Sequence, residues 1–266
     1  MKFSKLRKFA SVAMVAGMVV VAAGTGVVSA DTVDSKLSNA KVVFNAGGGG
    51  EGDPEDPTDP ENPLDPDDPD DPDITHNNGE LVLVVTPNLN FGLQKTSVSD
   101  QTVWAQPLKV SDNHSPDSST KGNWEPKYVQ VKNDRGTAEG WKLTVKQNEQ
   151  FKTSSQDGSK ELTGAVLTFT NGSLSSNQNK TGVTAQQTVS LATLNSSVVV
   201  MDAAVGSSDG NFINKFGNQQ KDFDPNDPKK YPHENISLFI KGGSAKKLAY
   251  STTLDWNLEN VPVPQP

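Results

Sequence analysis

Gly140-Trp141-Lys142-Leu143-Thr144-Val145 (GWKLTV, residues 140–145) alternates apolar and polar side chains from Trp141 onward. Side chains alternate from one face of a strand to the other, so Trp141, Leu143 and Val145 share one face while Lys142 and Thr144 take the opposite one. This is the period of a half-buried β-strand. Near the end of the chain, Leu254-Asp255-Trp256-Asn257-Leu258 repeats the pattern. Two such strands can lie side by side and bring Trp141 and Trp256 together. An apolar face of Trp, Leu and Val is how the core between two sheets is built. The same indoles could instead form part of a ligand surface, because a flat π face stacks on the C–H groups of a sugar. Composition leaves both readings open.

Working outward, residues from 79 onward alternate apolar and polar in short runs, separated by Gly, Asn, Asp and Pro, with no long helical period. That predicts an all-β domain over 74–266, a sandwich of roughly nine short, mostly antiparallel strands. The predicted strands are Leu81 to Thr86, Gln101 to Ser111, Tyr128 to Asn133, Gly140 to Lys146, Ala165 to Thr170, Gln187 to Thr193, Val198 to Asp202, Ile236 to Ile240 and Ala249 to Leu258. A further run, Lys41 to Asn45 (KVVFN), has strand character inside the short N-terminal segment 31–50.

Between that segment and the domain lies EGDPEDPTDPENPLDPDDPDDPD, residues 51–73, which holds 12 of the 32 acidic residues and 7 of the 17 prolines. It has no Lys or Arg. Proline recurs at every third position from Pro54 to Pro72, the period of a polyproline II helix. The expectation is a disordered, extended, acidic strip, acting as a long loop or a linker. It is a loop if residues 41–45 pair with the sheet and a linker if they do not. A calcium-collecting role is disfavoured, because a proline every third residue prevents one loop from wrapping around an ion. The strip also explains the net charge of −8: residues 74–266 carry 18 basic and 18 acidic side chains. Nothing resembles a basic nucleic-acid footprint.

Residues 1–30 pair a cationic start (Lys2, Lys5, Arg7, Lys8) with an apolar stretch from Val12 to about Ala23 and small residues before Asp31. This predicts a cleaved secretory signal peptide rather than a retained span. The chain has no cysteine, which removes disulfides, thiolate chemistry and thioether lipidation. With no lipid site and no sorting motif in VPVPQP, covalent attachment is not expected, and if the protein stays on the cell after secretion, something in the folded domain must hold it by non-covalent binding.

Catalysis has little to work with. His76, His114 and His233 lack metal-ligand spacing. Gly206-Ser207-Ser208-Asp209-Gly210 matches the G-x-S-x-G pattern of a nucleophile elbow, but the NFINKFG after it has no helical period, so a Gly-rich loop is favoured. Asp222, Asp224 and Asn226 place oxygen ligands at alternate positions as a calcium loop does, yet Asp227 stands where the sharp-turn glycine belongs and Glu234 is one place late. The expectation is no enzyme, no cofactor and no metal, with those three residues as weak calcium candidates.

GWKLTV and YSTTLDWNLENVP (250–262), together with PNLNFG (87–92), VKNDRG (131–136), the leader and the Asp/Pro strip, resemble the WxL-domain surface proteins of low-GC Gram-positive bacteria, in a short form. The resemblance covers nearly the whole chain. It implies a secreted protein that binds the cell wall non-covalently, with peptidoglycan as receptor and a wall-binding motif of Trp141, Leu143, Val145, Tyr250, Leu254, Trp256 and Leu258. It also implies complexes with other WxL proteins and with membrane-anchored WxL-interacting proteins. A structural or adaptor subunit with indirect wall contact is the alternative.

Overall fold

The computed structural model describes residues 42, 53–64, 66–67, 72–74, 79–110, 123–137, 139–207, 209–218, 223 and 235–263. The chain divides into two units, residues 1–43 and 44–266, and every described strand belongs to the second. The signal peptide, most of the predicted strand at 41–45, the three histidines and the calcium candidates Asp222, Asp224 and Asn226 lie outside the described residues.

The fold is all-β, with every pairing between strands antiparallel. Fifteen strands are present among the described residues: β1 (Asp73–Ile74), β2 (Leu81–Thr86), β3 (Gln101–Trp104), β4 (Leu108–Val110), β5 (Asn123–Glu125), β6 (Tyr128–Asn133), β7 (Gly140–Gln147), β8 (Val166–Phe169), β9 (Gly172–Ser175), β10 (Val183–Ala185), β11 (Val189–Leu191), β12 (Val198–Ala203), β13 (Gly210–Phe216), β14 (Ile236–Ile240) and β15 (Leu254–Val261). They form a five-stranded sheet in the order β1-β2-β6-β13-β9, two four-stranded sheets, β10-β12-β7-β15 and β11-β8-β14-β3, and the pair β4-β5.

The main apolar cluster is lined by three sheets. It takes Trp141, Leu143, Val145 and Met201 from the β7 sheet, Val129, Val131, Phe212 and Phe216 from the five-stranded sheet, and Leu167, Phe169, Leu191 and Ile236 from the β14 sheet. Alternation fixes this. On β6 and β13, Val129, Val131, Phe212 and Phe216 face this cluster, while Tyr128 and Ile213 point the other way into a second cluster with Val82, Val84, Leu108 and Val110. Because β13 is covered on both faces, GNFINKF shows no alternation to read, so its strand is missed from the sequence. The predicted strand at 101–111 is two, in different sheets, since Pro107 interrupts it and lacks the N–H that a continuous ladder needs. The last predicted strand starts later and runs further, at Leu254–Val261.

The described part of the acidic strip departs from the expected extended spacer. Residues 54–64 fold back on themselves: Leu64 N donates to Pro54 O at 2.8 Å, Asp56 N donates to Asn62 O at 3.0 Å, and Glu55 bridges Pro63. The turn is made by Asp56, whose Oδ1 accepts from Thr58 N and Asp59 N at 2.7 and 3.1 Å. This is the local competition that Asp offers to any extended backbone. Leu64, the lone aliphatic residue of the strip, is 5% exposed and belongs to the second cluster. Its burial opposes the charge repulsion that otherwise extends the segment. Further on, Pro66 bridges Val110, and Asp73–Ile74 pairs with β2.

Candidate functional site

The two tryptophan strands are neighbours. Eight consecutive pairs join β7 to β15, from Leu254 opposite Gln147 to Val261 opposite Gly140. Directly opposed residues share a face, so Trp256 opposite Val145 and Leu258 opposite Leu143 continue the inward apolar face of β7. The indoles themselves do not meet. Trp141 lies opposite Asn260, four positions from the residue opposite Trp256, which is about 14 Å along the strand.

Their surroundings differ. β7 is flanked by β12 and β15, while β15 is the last strand of the sheet among the described residues. Trp141, Leu143 and Val145 are fully buried, and Trp141 packs against Phe212 with ring centroids 6.0 Å apart. Leu254, Trp256 and Leu258 are half-buried at the border of the same cluster, Trp256 standing edge-on to Phe169 at 6.1 Å. Tyr250 belongs elsewhere: it precedes β15, packs against a third cluster of Val103, Phe151, Leu162, Leu238 and Ile240, and its hydroxyl accepts from Lys246 N at 2.9 Å. The seven motif residues are therefore not gathered on one surface. Trp141, Leu143 and Val145 are out of reach of any macromolecule.

Solvent meets the opposite face of the β7–β15 pair. Lys146 lies opposite Asp255 and forms an ion pair with it at 3.1 Å; Thr144 lies opposite Asn257 and Lys142 opposite Glu259. Asn257 donates its amide to Glu259 Oε1 at 2.7 Å. On the other flank, Asp202 of β12 lies opposite Lys142, and Thr184 of β10 lies opposite Asp202. The result is a polar ladder of both charge signs with hydroxyl and amide groups between, a surface able to exchange hydrogen bonds with a polymer rich in hydroxyl, amide and carboxylate groups.

One residue that the sequence did not single out ties the two motifs together. Arg135, in the turn between β6 and β7, donates Nε to Asn133 Oδ1 at 2.8 Å and Nη2 to Glu139 O and Gly140 O at 3.0 and 3.1 Å. Its Nη1 reaches Glu139 Oε2 at 3.3 Å and Asn260 Oδ1 on β15. All five donors of the guanidinium are used. VKNDRG was visible as a family-like string, but a charge that closes a turn and grips a distant strand leaves no periodic signal. Gly140 is needed for closeness: a Cβ there would lie 2.4 Å from Ala203 O on β12.

The other candidates do not assemble a reactive site. The G-x-S-x-G match falls between β12 and β13, so a strand comes next where a nucleophile elbow needs a helix; Ser208 itself lies outside the described residues. Among the described residues, no group of three or more His, Asp or Glu is arranged to hold a metal. No described helix is long and apolar enough to cross a membrane.

A family model described as WxL domain surface cell wall-binding matches residues 31–262. No curated protein and no solved structure matches the chain.

Proposed function

The chain belongs to the WxL family of surface cell wall-binding domains, and from that premise we propose that it is a secreted protein that holds peptidoglycan non-covalently through the outer face of the β7–β15 pair. The family is a cell-wall-binding one and not an enzyme family. The observation that carries the reading is the division of labour across β7 and β15. The motif's apolar side chains point into the core, and the same alternation turns Lys142, Lys146, Asp255, Asn257 and Glu259 outward, with Thr144 buried between them. The motif residues act by fixing the register of two strands; the contacts with the wall come from the residues between them. Peptidoglycan fits this face because its sugars offer hydroxyl and amide groups and its peptide stems carry both carboxylate and ammonium groups. The hydrophobic leader supports export.

The test is sedimentation of the purified protein with bare peptidoglycan, stripped of protein, with and without teichoic acid and calcium. Lys142→Ala, Lys146→Ala and Asn257→Ala combined is expected to leave the circular dichroism spectrum and melting temperature near wild type and to weaken binding at least about tenfold, since each lost charged or amide contact is worth on the order of 1 kcal/mol. Undiminished binding by the folded triple variant would remove this face from the wall contact. Failure of wild type to bind the bare polymer would favour contact through another surface protein.

A further inference from the structure

The acidic strip is fastened to the outer face of the five-stranded sheet by few side chains, and one of the fastenings is incomplete. Gln130 of β6, fully buried, holds the strip's backbone at both ends of its amide: Oε1 accepts from Glu55 N at 2.9 Å and Nε2 donates to Asp53 O at 3.0 Å. Beside it, Asn211 of β13 donates Nδ2 to Glu55 Oε1 at 2.6 Å. The remaining oxygen of each group, Glu55 Oε2 and Asn211 Oδ1, is buried without a hydrogen-bond partner. Both orphans are acceptors when Glu55 is ionised. Two buried acceptors on a pair of groups already joined at their other ends are costly as they stand.

We propose that Glu55 and Asn211 form a proton-operated latch that fastens the acidic strip to the sheet. A proton taken from solvent onto Glu55 Oε2 turns that oxygen into a donor for Asn211 Oδ1. The pair then closes as a two-bond acid–amide ring, with Asn211 Nδ2 still donating to Glu55 Oε1. One proton satisfies both orphans. Burial pushes the Glu55 carboxyl above its ordinary value of 4.5, and the Asn211 donor pulls it part of the way back. A raised value in the docked state means that docking is strengthened below the ordinary value and loses that strength as pH rises through the raised one.

The neighbouring charges do not duplicate this role. Asp53, Asp56 and Asp59 share the strip with Glu55. Asp56 caps its turn, and Glu125 at the end of β5 accepts from Thr58 Oγ1 at 3.0 Å. Lys132 of β6, directly opposite Asn211, is paired with Asp134 at 3.0 Å. Lys127 is buried just before β6, and Lys215 of β13 donates to Asn218 Oδ1 at 3.0 Å. On β4, Lys109 pairs with Asp67. Acid therefore tightens the strip over the cluster that Leu64 joins, with Val82, Val84, Leu108, Val110, Tyr128 and Ile213, and rising pH loosens it.

Hydrogen–deuterium exchange of the full chain, corrected for intrinsic rates, reads the latch at the amides of Glu55, Asp56 and Leu64. In wild type the opening constant is expected to fall as pH drops from 7 through the raised value to 4.5, by at most about tenfold per unit for one proton. Glu55→Gln supplies the missing donor permanently, so it should protect these amides at pH 7 and show little pH dependence. Parallel pH profiles for the two proteins, or wild-type protection that falls on acidification, would overturn the latch. A carbon-13 titration of the Glu55 carboxyl gives an independent reading. A midpoint above 4.5 is expected, and one at or below it also overturns the proposal.

Discussion

β7 and β15 carry the same Trp-x-Leu pattern, yet one lies inside its sheet and the other at its end. Trp141 is fully buried between the β7 sheet and Phe212, whereas Trp256 is half-buried beside Phe169. The contrast separates what a motif encodes from what its position adds. Alternation alone sends both indoles to the apolar side of the sheet. The number of neighbouring strands then sets how completely each is covered, and so how much each contributes. A repeated string can thus serve the core at one end and the border of the core at the other.

The largest effect that could break this contrast is truncation of the two indoles. Trp141→Ala should cost about 3 to 5 kcal/mol. Trp256→Ala should cost clearly less, because part of its ring is already in water. Urea unfolding of both variants checks the order, and equal losses would erase the distinction between inner and edge strand.

Arg135 offers the next largest effect. It spans the turn before β7 and Asn260 on β15, so Arg135→Lys should lose about 2 kcal/mol although the charge is kept, since an ammonium cannot supply five donors in a planar fork. Exchange of the β15 amides near Asn260 should rise in this variant. A change confined to residues 133–140 would mean that the guanidinium holds only its own turn.

The smallest effect lies on the solvent face. A double-mutant cycle of Lys146→Ala and Asp255→Ala should give a coupling of about 0.2 to 1 kcal/mol, because both side chains are substantially exposed and water screens the pair. A coupling above that range would mean that the polar ladder also stabilises the β7–β15 pairing, which the contrast assigns to the buried face.

Much of the fold was legible where one face is wet. β7, β12 and β14 emerge from alternation nearly to their ends, because each side chain reports its face through its polarity, and β2 and β6, though covered on both faces, emerge from their density of β-branched and aromatic residues. Legibility failed for β13, covered on both sides. It failed also for the short strands β5, β9 and β10, of three or four residues, which hold too few alternations to register. It failed in another way at the acidic strip. Period-three proline and dense charge read as extension, whereas Leu64, an Asp56-centred turn and the bonds from Gln130, Asn211 and Glu125 hold residues 54–64 folded back onto the domain. As for the site, the sequence named the tryptophan strands. Arg135 and the Glu55–Asn211 pair emerge only in three dimensions, because each joins residues far apart in the chain.

From the sequence alone come the all-β class, the facing of Trp141 and Trp256, and the placing of all the surplus negative charge in residues 51–73, since these depend on local alternation and composition. Tertiary structure decided which tryptophan strand became the edge, which face of the pair met solvent, and where the strip went. Those outcomes depend on which strands pair, and pairing is a competition among distant segments for a shared apolar surface that no local pattern encodes.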